Sequence, residues 1–131
     1  MLEATLSCLD TRPSRTYEIL IIDDGSTDAT VALALSLAQA HSAHDIRIIK
    51  LDRNIGKGGA VRHGSLHARG ERLLMVDADG ASRFEDLDLL WEAMDEIEKD
   101  GRAVVVGSRA HMVKTEAVVK VCPLYCLVMF R

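Results

Sequence analysis

Two aspartates follow a short apolar run at positions where they could do chemistry. Residues 73–84 read LLMVDADGASRF, so Asp77 and Asp79 flank a single alanine and Gly80 comes next. Two carboxylates at i and i+2 repel each other unless a positive group lies between them. Oxygen ligands of this kind suit Mg²⁺ or Mn²⁺, which also take waters and substrate phosphates as ligands. The pair predicts a divalent-cation site, and the alternative is a solvated acidic turn.

A second acidic segment, Asp23-Asp24-Gly-Ser-Thr-Asp28, follows another aliphatic run. Helix capping alone accounts for Asp28 and for much of Ser26. It does not account for two aspartates at the end of a strand, where a carboxylate can accept hydrogen bonds from a nucleobase or a ribose hydroxyl. Both interpretations, nucleotide binding and capping, stay open at this point.

Two further segments carry groups that suit phosphate. Asn54-Ile-Gly-Lys-Gly-Gly59 combines glycines, Lys57 and Gly58 with the start of a predicted helix, although it lacks the spacing of a P-loop. Arg109 in Gly107-Ser-Arg109 follows a β-branched run and could bind phosphate oxygens. Taken alone, Arg109 is as readily explained by a surface ion pair.

The elements that must position these groups alternate along the chain. The patterns predict strands at residues 17–23, 46–51, 72–77 and 103–106, and helices at residues 29–40, 60–69 and 84–99. Such alternation is typical of an α/β fold with a parallel sheet, whose strands end at one common edge. We therefore expect the two acidic segments, the glycine-rich segment and Arg109 to meet there.

Composition narrows the function classes. The chain has 131 residues, enough for one domain, and its net charge of −4 with dispersed basic residues argues against nucleic acid as a partner. Its three cysteines have no metal-ligand spacing. The apolar tail Val121–Phe130 is too short to span a membrane, although it could rest against a membrane or a partner.

Taken together, IIDDGSTD, NIGKGGAVRHG, VDADGASRF and VGSRAH resemble the inverting, GT-A-type glycosyltransferases of family 2. The match runs from about residue 17 to 111, and GKGGAVR followed by DADGAS resembles the glucosyl branch in particular. The resemblance implies a three-layer α/β/α fold with a mostly parallel sheet. It also implies a single partial domain over residues 1–131, with a core at 17–111 and a divergent apolar tail at 112–131.

The resemblance also implies roles for individual donor-binding residues. Asp24 is expected to bind uracil, with Asp23 beside it in the nucleotide-sugar site. Lys57 and Gly58 are expected next to the nucleotide.

The catalytic group implied by the resemblance consists of Asp77, Asp79 and Arg109. Asp77 is expected against the ribose or donor sugar, Asp79 on the metal, and Arg109 near the acceptor phosphate.

The implied reaction moves glucose from UDP-glucose to dolichyl phosphate with inversion and uses Mg²⁺ or Mn²⁺. The acceptor is a phosphate monoester, largely ionised at neutral pH because its second pKa is about 6. It is already a nucleophile, so positioning and electrostatics are expected to carry catalysis. The product, dolichyl β-D-glucosyl phosphate, serves protein N-glycosylation. The implied location is the cytosolic face of the endoplasmic reticulum membrane, with membrane association through segments outside this chain.

The chain departs from the family pattern at both ends. The family's first strand and its Pro-x-Tyr-Asn-Glu type motif are missing, and the segment VCPLYCLVMFR does not resemble the family. We expect residues 19–22 and 73–76 to face a gap in the sheet, and the beginning of the chain to be helical. We also expect a shortened product with negligible transferase activity on its own.

Three other interpretations compete. An inactive nucleotide-sugar-binding remnant would keep every motif. A haloacid-dehalogenase-like phosphatase would use Asp77 as its nucleophile. A receiver domain would also pair acids at strand ends, but neither it nor the phosphatase gives the glycine-rich segment a role.

Overall fold

The computed structural model describes residues 2–12, 16–80, 82–107 and 124–130, the last of these by backbone alone. Its helices are α1 (Leu2–Asp10), α2 (Thr30–Ala40), α3 (Gly56–Leu66) and α4 (Leu87–Ile97), and its strands are β1 (Tyr17–Asp23), β2 (Ile46–Lys50), β3 (Arg72–Asp77) and β4 (Leu124–Phe130). The contacts divide the chain into two compact units, Met1–Ser82 with Val121–Arg131, and Arg83–Lys120. That residues 1–131 form a single domain stays a prediction.

The first unit contains a four-stranded sheet in the order β2-β1-β4-β3. β1 and β2 are parallel, with Ile19 opposite Ile46 and Asp23 opposite Lys50. β4 is antiparallel to both β1 and β3, so β1, β2 and β3 share one direction. The predicted α/β class with a mostly parallel sheet is confirmed.

β1 is more buried than β2 and β3. All of its residues from Glu18 to Asp23 are buried, and the four between these two acids are aliphatic, as expected for a strand that is covered on both faces. On one face, Leu20 and Ile22 form a core cluster with Leu51 and with Ala60 of α3. This packing holds the N-terminal part of α3 against the strand whose carboxyl end carries the two aspartates.

The expected gap in the sheet is filled, so that expectation was wrong. The apolar tail segment Leu124–Phe130 forms β4, which pairs with β1 from Tyr17↔Phe130 to Asp23↔Leu124 and with β3 from Arg72↔Phe130 to Asp77↔Tyr125. The facing backbone groups of β1 and β3 would be costly to leave unpaired, and an apolar segment of β-forming residues can satisfy them from within the chain.

α3 begins four residues earlier than the sequence predicts and ends three residues earlier. It runs over Gly56–Leu66 instead of residues 60–69, so Lys57 lies in its first turn and not in a loop. Three residues beyond its end, the backbone N–H and guanidinium of Arg69 both donate to Glu18 of β1. That contact anchors the chain to β1 directly after the helix.

The second unit is described over residues 83–107. A 3₁₀ turn at Phe84–Asp86 leads into α4, which corresponds to the helix predicted at 84–99. The strand predicted at 103–106 is wrong: these residues form no strand in the structure, and Val104 and Val106 are each 80% exposed. Strand propensity depends on burial against neighbours, which these side chains do not have.

Candidate functional site

Both aspartates at the end of β1 are buried and bound by backbone N–H groups. Asp23 and Asp24 are 0% and 1% exposed. The Asp23 carboxylate accepts from the N–H of Ser26 at 3.2 and 3.3 Å, which closes the turn after the strand. Asp24 Oδ1 accepts from the N–H of Ile55 at 2.7 Å, across 31 residues of sequence. Asp24 therefore ties the end of β1 to the start of α3.

The turn after β1 lies directly against the segment before α3. Gly25 has φ +79°, and a Cβ added there would lie 2.7 Å from the backbone nitrogen of Asn54 and 2.9 Å from the carbonyl carbon of Arg53. Only glycine fits both the left-handed backbone and this close approach. The two loops form one packed layer at the strand ends.

The start of α3 offers an anion site. The first N–H groups of a helix have no intrahelical partner, and the helix dipole adds positive potential there. The N–H of Gly56 is taken by Asn54 Oδ1 at 3.1 Å, while a Cβ at Gly58 would meet nothing within 4 Å. The open space at Gly58 lets a phosphate approach the backbone of the first turn.

Lys57 joins this helix to the end of β3. Its Nζ lies 2.7 Å from both carboxylate oxygens of Asp77. The ion pair is open to solvent, with side-chain exposures of 49% for Lys57 and 34% for Asp77. The Lys57 ammonium therefore lies against Asp77, the first aspartate of the DAD segment. Its positive charge reduces the repulsion that two carboxylates at i and i+2 would otherwise experience.

The turn after β3 is exposed at Asp79 and at Gly80, which has φ +77°. Asp77 and Asp79 together provide an all-oxygen donor set, which suits Mg²⁺ or Mn²⁺. The described residues contain no group of three or more His, Cys, Asp and Glu side chains that could hold a metal ion. Two carboxylates fit the mode in which the remaining ligands are waters and substrate phosphates.

The predicted site residues are thus partly assembled. Asp24, Lys57 and Asp77 are linked through α3, and Asp23 lies beside Asp24, whereas Arg109 lies outside the described residues. The ligand-binding roles of all these residues stay predictions.

Sequence reasoning missed the contribution of Ile55 and Asn54, which hold the start of α3 through a backbone amide and a side-chain amide. The asparagine before the glycines was a usable signal, since Asn is a common capping residue. Ser26 adds a buried Oγ that has no hydrogen-bond partner among the described residues.

The opposite end of β1 carries a structural ion cluster. Glu18 is fully buried and accepts from Arg47 at 2.8 Å and from the backbone N–H and Nε of Arg69 at 2.7 Å. Burial raises the pKa of Glu18, but the hydrogen bonds and charges of the two arginines outweigh it and hold that pKa below the usual 4.5. The cluster fixes the end of α3 farther from the site.

Comparison with known proteins decides the family. The Glycosyl transferase family 2 profile matches residues 1–119. The chain belongs to this family. The phosphatase and receiver-domain interpretations are therefore dropped. No solved structure matches the chain.

Several curated relatives bear one name. The chain is 44% identical over 118 residues to the dolichyl-phosphate beta-glucosyltransferase of Drosophila melanogaster, covering 86% of the chain and 36% of the relative. It is 48% identical over 104 residues to that of Dictyostelium discoideum (79% and 32%) and 45% identical over 130 residues to that of Saccharomyces cerevisiae (92% and 39%). The chain spans less than two fifths of the length of each. Within the described part, no helix is long and apolar enough to cross a membrane.

Proposed function

We propose that this family 2 chain carries the donor-binding part of a glycosyltransferase that moves glucose from UDP-glucose to dolichyl phosphate with inversion. One observation carries the proposal: the carboxyl ends of β1 and β3 are joined through the first turn of α3 by Asp24–Ile55 and Lys57–Asp77. Acidic groups for a nucleoside, a helix N-terminus for phosphate and a lysine are thereby brought to one edge of the sheet. The names of the relatives supply the sugar and the acceptor.

The diphosphate of the donor is the ligand that fits the start of α3. Helix N–H groups and the dipole favour anions, and Gly58 leaves the backbone open. Lys57 adds a positive charge in the same turn. These groups would hold the leaving diphosphate and stabilise the charge that develops on it.

Asp79 is the residue that would hold Mg²⁺ or Mn²⁺, as the resemblance implies. We add Asp77 as a second metal ligand, in place of the contact with the ribose or donor sugar that the resemblance implies, because its two oxygens already face a positive group, the Lys57 ammonium. The bound cation would supply charge neutralisation at the diphosphate. Asp24 is buried and its Oδ1 is engaged with Ile55, so contact with a uracil would use its other oxygen. Arg109 keeps its proposed role at the acceptor phosphate.

The site of action proposed with this reaction is the cytosolic face of the endoplasmic reticulum membrane. It rests on the dolichyl phosphate in the names of the relatives, because a polyprenyl acceptor resides in a membrane.

Calorimetry with UDP-glucose, with and without Mn²⁺, tests the donor site. We expect metal-dependent binding by this chain that Asp79→Ala abolishes. Glu92→Ala, which removes an exposed acid of α4, is the matched control and should bind like the unaltered chain. GDP-glucose, which keeps the sugar and changes the base, should bind more weakly. Binding that ignores both Mn²⁺ and the Asp79 substitution would overturn the assignment.

Activity is a separate question, because an inactive remnant of the family would bind the donor equally well. Transfer of labelled glucose from UDP-glucose to a short-chain dolichyl phosphate, measured for this chain and for Asp79→Ala, separates the two. Metal-dependent product that disappears with the substitution identifies an enzyme. Donor binding without product identifies a binding remnant.

A further inference from the structure

The ion pair between Lys57 and Asp77 has a consequence for how a cation and a nucleotide bind. The ammonium lies 2.7 Å from Asp77 Oδ1 and 2.7 Å from Oδ2, so it faces the carboxylate symmetrically. A divalent cation coordinated by the same two oxygens would sit at about 2.0–2.6 Å from them. The lysine and the metal ion therefore compete for one position.

Lys57 has a second anion within reach of its own helix turn. It is the second residue of α3, and the N-terminus of that helix is where a diphosphate would bind. A half-exposed ion pair is weak, and a diphosphate carries more charge than one carboxylate. The incoming phosphates are thus able to draw the ammonium away from Asp77.

We propose that Lys57 is an internal substitute for the metal ion, which blocks Asp77 until a nucleoside diphosphate binds. Binding of the diphosphate moves Lys57 to the phosphates and frees Asp77, so that cation and nucleotide bind cooperatively. This inference rests on the proposed function, since it takes the anion at α3 to be the diphosphate of a nucleotide sugar. Lys57 thus acts through the availability of Asp77 before the nucleotide binds, and contacts the phosphates afterwards.

Titration of Mn²⁺ alone, followed by the electron paramagnetic resonance of the free ion, tests the block. We expect Lys57→Met to bind Mn²⁺ about 5-fold or more tightly than the unaltered chain, the lower range of typical coupling between sites. The same variant should bind UDP more weakly in the absence of metal. A purely structural role for Lys57 would weaken both ligands together.

Lys50→Met is the matched control for the loss of one positive charge. Lys50 ends β2 opposite Asp23, three strands away from Asp77 in the sheet order. That is roughly 14 Å at normal strand spacing, beyond the Debye length of about 8 Å at physiological salt. Because the charge of Lys50 is screened at this distance, the Mn²⁺ affinity of Lys50→Met should stay within about 2-fold of that of the unaltered chain.

Two more variants locate the effect at Asp77. Lys57→Arg keeps the charge and can hold a carboxylate with two hydrogen bonds, so it should bind Mn²⁺ alone no more tightly than the unaltered chain. Asp77→Asn should cancel the gain when it is combined with Lys57→Met. Circular dichroism verifies that each variant is folded, and Lys57→Arg still tests the proposal if the methionine variant is not.

The possible results separate this proposal from the proposed function. Equal Mn²⁺ affinities of the unaltered chain and Lys57→Met, equal gains in Lys57→Met and Lys50→Met, or a gain in Lys57→Arg would each overturn the proposal. Metal-dependent UDP-glucose binding would in those cases still support the function. If Lys57→Met binds Mn²⁺ more tightly but the unaltered chain binds no UDP-glucose, the block of Asp77 by Lys57 is supported and the assignment of UDP-glucose as donor is rejected.

Discussion

Replacing Gly25 by alanine is expected to cost stability for two separable reasons. The left-handed backbone at φ +79° penalises any Cβ by roughly 1–2 kcal/mol. The new Cβ would also lie 2.7 Å from the Asn54 nitrogen, well inside contact distance. Such overpacking typically adds about 1–3 kcal/mol, so the free energy of unfolding should fall by about 2–5 kcal/mol. Urea unfolding followed by far-ultraviolet circular dichroism measures the loss.

Gly80→Ala isolates the first of these reasons. Gly80 has nearly the same backbone angle, φ +77°, but a Cβ there would meet nothing within 4 Å. Its loss should be only roughly 1–2 kcal/mol. The difference between the two variants is the contribution of the contact between the loops. Equal losses would refute the idea that the turn after β1 and the segment before α3 are packed as one layer.

Three further predictions concern the elements around the site. Asp24→Ala should lower the free energy of unfolding by about 1–3 kcal/mol, because the buried N–H of Ile55 loses its acceptor. Asp24→Asn keeps an acceptor oxygen and should lose less in the same urea titration. Glu18→Gln should cost about 2–3 kcal/mol at pH 7, less than a wholly buried pair because its arginines are partly exposed. Since the pKa of Glu18 is lowered in the fold, its contribution is full above about pH 4.5 and is lost as the pH falls further. The difference between this variant and the unaltered chain should therefore shrink in acid, and a constant difference from pH 7 to pH 3 would contradict the assignment. Val128→Pro should cost about 1–3 kcal/mol, because proline removes a backbone N–H from β4, which is hydrogen-bonded on both sides, and leaves its acceptor unpaired, whereas Val104→Pro should change stability by less than about 0.5 kcal/mol. If the two proline variants lost comparable free energy of unfolding, the assignment of residues 124–130 as the fourth strand would be contradicted.

The strands β1 and β3 were predictable because their signal is local. Both follow from short aliphatic runs, and the structure has them at the predicted residues 17–23 and 72–77. The acidic residues at their ends could also be placed at one edge, since parallel strands in an α/β fold end together. Local pattern and topology were sufficient for this half of the site.

The start of α3 was missed because its determinants are remote in sequence. Glycine has low helix propensity, so the three glycines of GKGG predict a loop. The helix nevertheless begins at Gly56. Asp24 accepts from the N–H of Ile55, 31 residues later in the sequence, and Asn54 accepts from the N–H of Gly56. Tertiary contacts overrode propensity, and they moved Lys57 into the helix turn from which it reaches Asp77.

The fourth strand was predicted at residues 103–106 but is formed by Leu124–Phe130, and the cause is again remote in sequence. Residues 103–106 and 124–130 are both apolar and rich in β-forming types, so composition alone does not choose between them. The choice depends on which segment finds unpaired backbone, and Leu124–Phe130 finds it on both β1 and β3. Such pairing is non-local, which no window of sequence can report.

The position of a bound metal–nucleotide pair on this chain decides whether the ends of β1 and β3 and the start of α3 form one donor site. Paramagnetic broadening of backbone amide signals by Mn²⁺ in the presence of UDP would map it. We expect the strongest broadening at residues 77–80 and 56–58, followed by the turn at residues 24–26. Broadening centred on the Glu18 and Arg69 cluster at the opposite end of β1, or spread without a centre, would contradict it.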